Sequence, residues 1–128
     1  MSQVKDDLFD YLKEIGLMPS FDEDEDIVFM YNLLHCFVVF NDEDERFIQI
    51  VIPNIYDVDE DNREKVLNAC NQVSRVVKVV KGYINSDDEV CIVAEFFLDD
   101  MPNYESFIPR AIRALAGARL LFTKTVFE

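Results

Sequence analysis

The sequence has no tryptophan, one histidine, three glycines and four prolines. Gly16, Gly82 and Gly117 are scattered, so no glycine-rich loop exists to cradle a phosphate. The single histidine, His35, stands beside Cys36. On a strand, adjacent side chains point to opposite faces, which excludes a nucleophile–base dyad. His35 therefore reads as a structural or surface residue. Cys36, Cys70 and Cys91 are odd in number and widely spaced, a pattern of neither a disulfide framework nor a zinc site. They read as small buried hydrophobes in a reducing compartment. No apolar run approaches a membrane span, and no apolar leader follows the start. Basic residues are scarce: 12 against 26 acidic ones, a net charge of −14. Such a surface repels nucleic-acid phosphates and anionic lipid. These absences predict no catalytic residue, no cofactor and no metal site, in a soluble cytoplasmic chain.

What is present is material for a core. Half of the 128 residues are apolar and 11 are Phe, enough for one domain over residues 1–128. The stretch Asp26–Asn54 holds three apolar runs, Ile27–Tyr31, Cys36–Phe40 and Phe47–Ile52, separated by short polar or turn-like breaks. They predict a three-stranded antiparallel meander. Before it, Val4, Leu8, Tyr11, Leu12 and Ile15 recur at helical spacing and predict a helix over Gln3–Ile15. Ser2 is placed to cap that helix and Gly16 to end it. The acidic run Asp22–Asp26 is expected to stay extended and wet, because adjacent carboxylates repel. A second acidic link, Asp42–Glu45, joins the second and third runs.

A second helix is predicted from about Glu60 to Ser74, capped by Asp59 or Asp61. The segment Asp57–Asn68 begins like a calcium loop, with Asp at the first, third and fifth positions. It places Asn62 where glycine is needed and Asn68 where a bidentate Glu is needed, so the prediction is no calcium site. Two further strands follow, about Val76–Ile84 and Glu89–Leu98, joined by the turn residues Asn85-Ser86-Asp87-Asp88. If Asn85 faces Asp88, Lys78 stands opposite Glu95 as a cross-strand ion pair. A last helix, capped by Asn103, runs to about Thr123, with Pro109 imposing a kink or a late start.

The element order is helix, three strands, helix, two strands, helix. It predicts an α+β fold whose five-stranded antiparallel sheet carries helices mainly on one face. The central strands are apolar on both faces, which an antiparallel sheet with one wet face is not. The second face, marked by Gln49, Lys78 and Glu95, is thus a candidate protein-binding surface for a partner or a second copy of the chain, unless the acidic linkers shield it or the first helix crosses over and closes it. The last helix is the only basic element, with Arg110, Arg113, Arg119 and Lys124; the plainer expectation is internal charge balance against the acidic loops, and the sharper one makes Arg110 and Arg113 a second candidate face, for an acidic partner.

Phe37-Val38-Val39-Phe40, the acidic turn Asn41–Glu45 and Phe47-Ile48-Gln49-Ile50 carry a resemblance. Leu67-Asn68-Ala69-Cys70-Asn71, running into Val77-Lys78-Val79-Val80-Lys81, extends it. With the element order, these segments resemble the YbjN-like proteins, a bacterial family named as sensory transduction regulators. That family shares the fold of the small acidic type III secretion chaperones. The resemblance covers nearly the whole chain and rests on structural motifs, so it carries over no catalytic residue. It implies a non-enzymatic regulator or chaperone-like adaptor that binds another protein. The runner-up is an acidic inhibitor or immunity-type protein that blocks a basic target.

Overall fold

A computed structural model describes residues 3–128, so the cap expected at Ser2 lies outside the described residues. Helix α1 (Gln3–Glu14) buries Leu8 and Leu12. It ends where the periodicity placed its stop. Gly16 adopts a left-handed φ of +88°. Its N–H donates to the Lys13 carbonyl, and the Leu17 N–H to that of Leu12, each at 3.0 Å. This double closure uses carbonyls that the helix end leaves orphaned.

The sheet has six strands rather than five, all antiparallel, in the order β1-β2-β3-β4-β6-β5. The additional strand is β1 (Ser20–Phe21), paired so that Phe21 faces Ile27 of β2 (Ile27–Tyr31). Two residues are too few to show a period. The ring of Phe21 stacks on Phe9 of α1 at 4.7 Å. The acidic run between β1 and β2 is a tight turn, not the extended linker its charge suggested. The Asp22 carboxylate accepts N–H bonds from Asp24 and Asp26, both at 2.9 Å, and Glu25 takes a φ of +62°. One carboxylate spanning two backbone donors outweighs the repulsion of its neighbours.

Strands β3 (Leu34–Asn41) and β4 (Asp44–Ile52) complete the meander. Helix α2 (Arg63–Val76) begins and ends later than its pattern indicated. Asn62 occupies the N-cap position, but its side chain turns back to accept the Asp59 N–H, while Asp59 accepts the Asn62 N–H, both at 2.9 Å. The run Val76–Val79, read as strand, supplies the last residue of α2 and the turn into β5 (Val80–Ile84). Val79 there has a φ of +58°, costly for a β-branched residue.

The β5–β6 register departs from expectation by one residue. Gly82 faces Ile92 and Tyr83 faces Cys91 across to β6 (Val90–Phe97). Asn85 pairs with Glu89, not Asp88: its N–H donates to the Glu89 carbonyl at 2.8 Å. The loop takes a third residue because Asp88 adopts a left-handed φ of +58°, the bulged three-residue hairpin. A slip of one residue moves every side chain to the opposite face. Lys78 therefore does not face Glu95. It lies in the turn before β5.

A single 3₁₀ turn (Tyr104–Ser106) precedes α3 (Ile108–Val126). Pro109 sits in the first helical turn, so the helix starts late and needs no kink. Asn103 makes no capping side-chain bond. The buried stripes of all three helices join one cluster with Ile27, Phe29, Val38, Ile48, Ile50 and Ile92. These residues share one sheet face by register. The architecture is α+β, with three helices layered on one side of the sheet.

Candidate functional site

The opposite sheet face holds no part of that cluster. Strand alternation directs Val28 and Met30 of β2, Phe37 and Val39 of β3, and Phe47 and Val51 of β4 toward it. Strand β6 adds Val93 and Phe97, and β5 adds Tyr83. The side chains are half-buried for the most part, but Met30 is 45% and Phe97 85% exposed. The Phe47 and Phe97 rings face each other across β4 and β6 at 5.7 Å. No described helix crosses to this side; α1, the one candidate to do so, packs Leu8 and Leu12 into the opposite layer.

Gln49 and Glu95 are brought together as the sequence suggested. They stand directly opposite across β4 and β6, and the Gln49 Nε2 donates to Glu95 Oε2 at 2.9 Å. The cation, however, is Lys81 and not Lys78. Its Nζ lies 2.7 Å from Glu95 Oε1 and 5.9 Å from the centre of the Tyr83 ring. Lys81 faces Val93 by register, so its stem and the Tyr83 ring border Val93. Val93 is fully buried without a helix above it, and Cys91 nearly so. The Lys81 hydrogen bond is the chief cause holding the Glu95 carboxyl below its ordinary value; partial burial opposes it, and the Gln49 bond and the Lys81 charge assist. The face is thus largely apolar, with one self-satisfied polar cluster spanning β4, β6 and β5 and the exposed His35 opposite Met30 toward the other edge. Such a cluster can orient an arriving surface without leaving an unpaired charge.

Lys81 was missed because the turn offers two loop lengths, and its residues suit both. Asn85 and Asp88 tolerate a left-handed backbone equally well. The free edge of β5 is partly closed: the Ser74 hydroxyl of α2 accepts the Gly82 N–H at 3.0 Å.

Arg110 and Arg113 are exposed on the outer side of α3. The helix contains no acidic residue, and among the described residues none of Arg110, Arg113, Arg119 and Lys124 makes an ion pair. No acidic loop thus closes an ion pair on this helix among the described residues. Arg110 instead shares a groove with Lys78, beside Val79, Phe96 and Phe107. Lys78, displaced from the sheet face, thus meets the helix candidate Arg110 there. Cys36, Cys70 and Cys91 are free and buried, and burial pushes the Cys36 and Cys70 thiols up to about 11. Among the described residues no cluster of metal-ligand side chains forms, and no helix is long and apolar enough to cross a membrane.

No protein-family profile matches the chain, and no curated protein matches its sequence. Solved structures do match its fold. YbjN from E. coli, provisionally assigned as a transcription regulator, superimposes with a TM-score of 0.71 at 12% identity, over 94% of this chain and 89% of its own. An uncharacterised protein from Methanothermobacter thermautotrophicus gives 0.66 at 16% identity, over 95% of both chains. The Yersinia pestis type III secretion chaperone SycH, solved in complex with a stable fragment of YscM2, gives 0.61 at 12% identity, over 92% of this chain and 98% of its own. The chain is structurally similar to YbjN and to SycH, and at these identities the likeness is one of fold.

Proposed function

We propose that the chain is a non-enzymatic protein-binding module, a regulator or chaperone-like adaptor of the cytoplasm, that works through the open face of its sheet. The observation that carries this reading is the asymmetry of the sheet. Three helices are spent on one side, while no described helix lies over the other, which presents the half-buried Phe37, Val39, Phe47 and Val51 and the exposed Met30 and Phe97. A contiguous apolar surface of this kind is retained where a partner covers it. The likeness to SycH, seen with a protein fragment bound, supports protein as the class of partner.

The test compares the wild type with the double variant Val39→Glu/Phe97→Glu. Affinity capture from the native host, read by mass spectrometry, should recover one or a few proteins with the wild type and lose them with the variant. Light scattering run in parallel identifies a second copy of the chain as the occupant. Equal recovery by both proteins, with both monomeric, would refute the role of this face.

The runner-up, an acidic blocker of a basic target, has one observation in its favour. The two acidic turns converge, so that Glu25, Asp42, Asp44 and Glu45 line one concavity with Lys5. A basic partner among the captured proteins, retained by the double variant and lost when Asp42, Asp44 and Glu45 become Asn or Gln, would establish it instead.

A further inference from the structure

The groove at the start of α3 is chemically unlike the rest of the surface. Its apolar lining includes Val79, Phe96, Phe107 and Ala114, and Lys78 and Arg110 supply its charge. The Phe96 and Phe107 rings lie 4.9 Å apart, and Val79 is 63% exposed. Its volume, about 250 Å³, falls below the roughly 300–1,000 Å³ of clefts that enclose a whole small ligand. It suits one or two side chains of a longer chain. The left-handed Val79 turns this corner out from β5 at a conformational cost, and such strain is characteristic of binding sites.

Charge selects the occupant. The chain carries 26 acidic residues, yet neither Lys78 nor Arg110 forms an ion pair among the described residues. Arg113, about one turn along α3, is a third exposed cation without an ion pair among the described residues, though it does not line the groove. A basic partner is repelled by these groups and attracted elsewhere on a −14 surface, and a neutral one gains no charge pairing from them. An acidic partner is repelled by most of the surface and attracted here, where Lys78 and Arg110 converge beside apolar side chains. The groove thus provides both affinity and orientation for a segment of negative charge.

We propose that this groove docks an acidic amphipathic peptide segment, with a bulky apolar side chain seated on Val79, Phe96 and Phe107 and an adjoining carboxylate on Lys78 and Arg110. The site is separate from the open sheet face and is tested separately from it.

The probe is a displayed library of random dodecapeptides, panned against the wild-type protein and counter-selected against Lys78→Glu/Arg110→Glu. Both substituted side chains are exposed, so the variant should keep its fold, which circular dichroism checks. Enriched peptides should carry Asp or Glu next to Leu, Phe or Trp. A synthetic peptide of that kind should bind the double variant at least about tenfold more weakly and lose affinity as salt screens the pair. The conservative Lys78→Arg/Arg110→Lys protein should retain binding. The proposal is overturned if no peptide is enriched, if the enriched set lacks acidic residues, or if the peptide binds wild type and double variant alike. It is also overturned if binding is lost in Val39→Glu/Phe97→Glu and kept in the groove variant, because the site would then be the sheet.

Discussion

Strand β4 shows the two sides of the molecule within six residues. Ile48, Ile50 and Ile52 point into the helix layer and are almost wholly buried. Phe47, Gln49 and Val51 point the other way and remain half-buried. The two sets are nearly matched in hydrophobicity, and only Gln49 breaks the second. Apolar content therefore does not tell which side of this sheet a helix covers. What separates the sides is the polar cluster of Gln49, Glu95 and Lys81. On the covered side no polar or charged residue is buried among those described.

Neighbouring truncations on that strand should differ most. Ile50→Ala removes a fully buried side chain whose site is fixed by the helix layer above it. It should cost about 3 kcal/mol, within the range for such cavities. Val51→Ala, one residue on, removes a side chain that water already reaches, and should cost about 1 kcal/mol or less. Urea denaturation of the two variants at constant m-value measures both. Equal losses would mean that the second face is packed as tightly as the first, and the contrast would be void.

Most of the architecture behind this contrast was legible in the sequence from periodicity and from the stop at Gly16, although Asn62 and not Asp59 or Asp61 takes the N-cap of α2 and Asn103 makes no capping bond. The stripe Leu8–Leu12 with Gly16 after it, the three runs of the meander, and Pro109 as a late start all fall where local chemistry puts them. That the second face carries apolar residues was legible from the same runs, whereas whether it is open or covered was not, because alternation alone does not place the helices. Three further features were not legible. Phe21 makes a strand only by pairing with Ile27 and stacking on Phe9, a tertiary effect. Val76 through Val79 are β-branched apart from Lys78, yet Val76 continues α2, because packing overrides propensity. The hairpin register turned on whether Asp88 would go left-handed, which its residue type permits but does not require. That single dihedral exchanged Lys78 for Lys81 in the cluster on the open face and left Lys78 to the groove beside Arg110.

The charged cluster gives a smaller, pH-dependent contrast. Glu95 has its carboxyl pKa lowered from 4.5, chiefly by the Lys81 hydrogen bond. Its contribution is therefore fully present above about pH 4.5 and is lost as the pH falls through the folded-state value. Asp26, at the start of β2, is shifted the other way. Burial first, then Asp22 and Asp24, raise it from 3.8 against the Phe40 N–H and Lys5, so ionising it costs the fold stability that acid restores. Glu95→Gln should lower stability at pH 7 by about 0.5–1 kcal/mol, the scale of a partly exposed pair. The difference from wild type should shrink below pH 4.5. Asp26→Asn should show the opposite trend, gaining most at neutral pH. Denaturation curves between pH 3 and pH 7 (roughly the span over which carboxyl groups titrate) decide the matter. A Glu95→Gln loss that is the same at both ends would show that the cluster acts by shape and not by charge.

The smallest effect on stability is expected at Phe97, and it is the most informative. The side chain is 85% exposed and its described ring partner is Phe47, itself on the open face. Phe97→Ala should change the unfolding free energy of the isolated chain by no more than about 0.5 kcal/mol, as exposed substitutions do. On the proposed reading, the burial of this aromatic residue lies outside the monomer. If a second copy of the chain supplies that burial, wild-type stability must rise with protein concentration by mass action, and the Phe97→Ala protein must lose that dependence. If a different protein supplies it, both chains unfold at a concentration-independent midpoint and only capture of the partner is impaired. A loss of 2 kcal/mol or more at every concentration fits neither case (such losses belong to packed cores). It would mean that Phe97 is held by its own chain and that the two faces of the sheet differ less than their burial indicates.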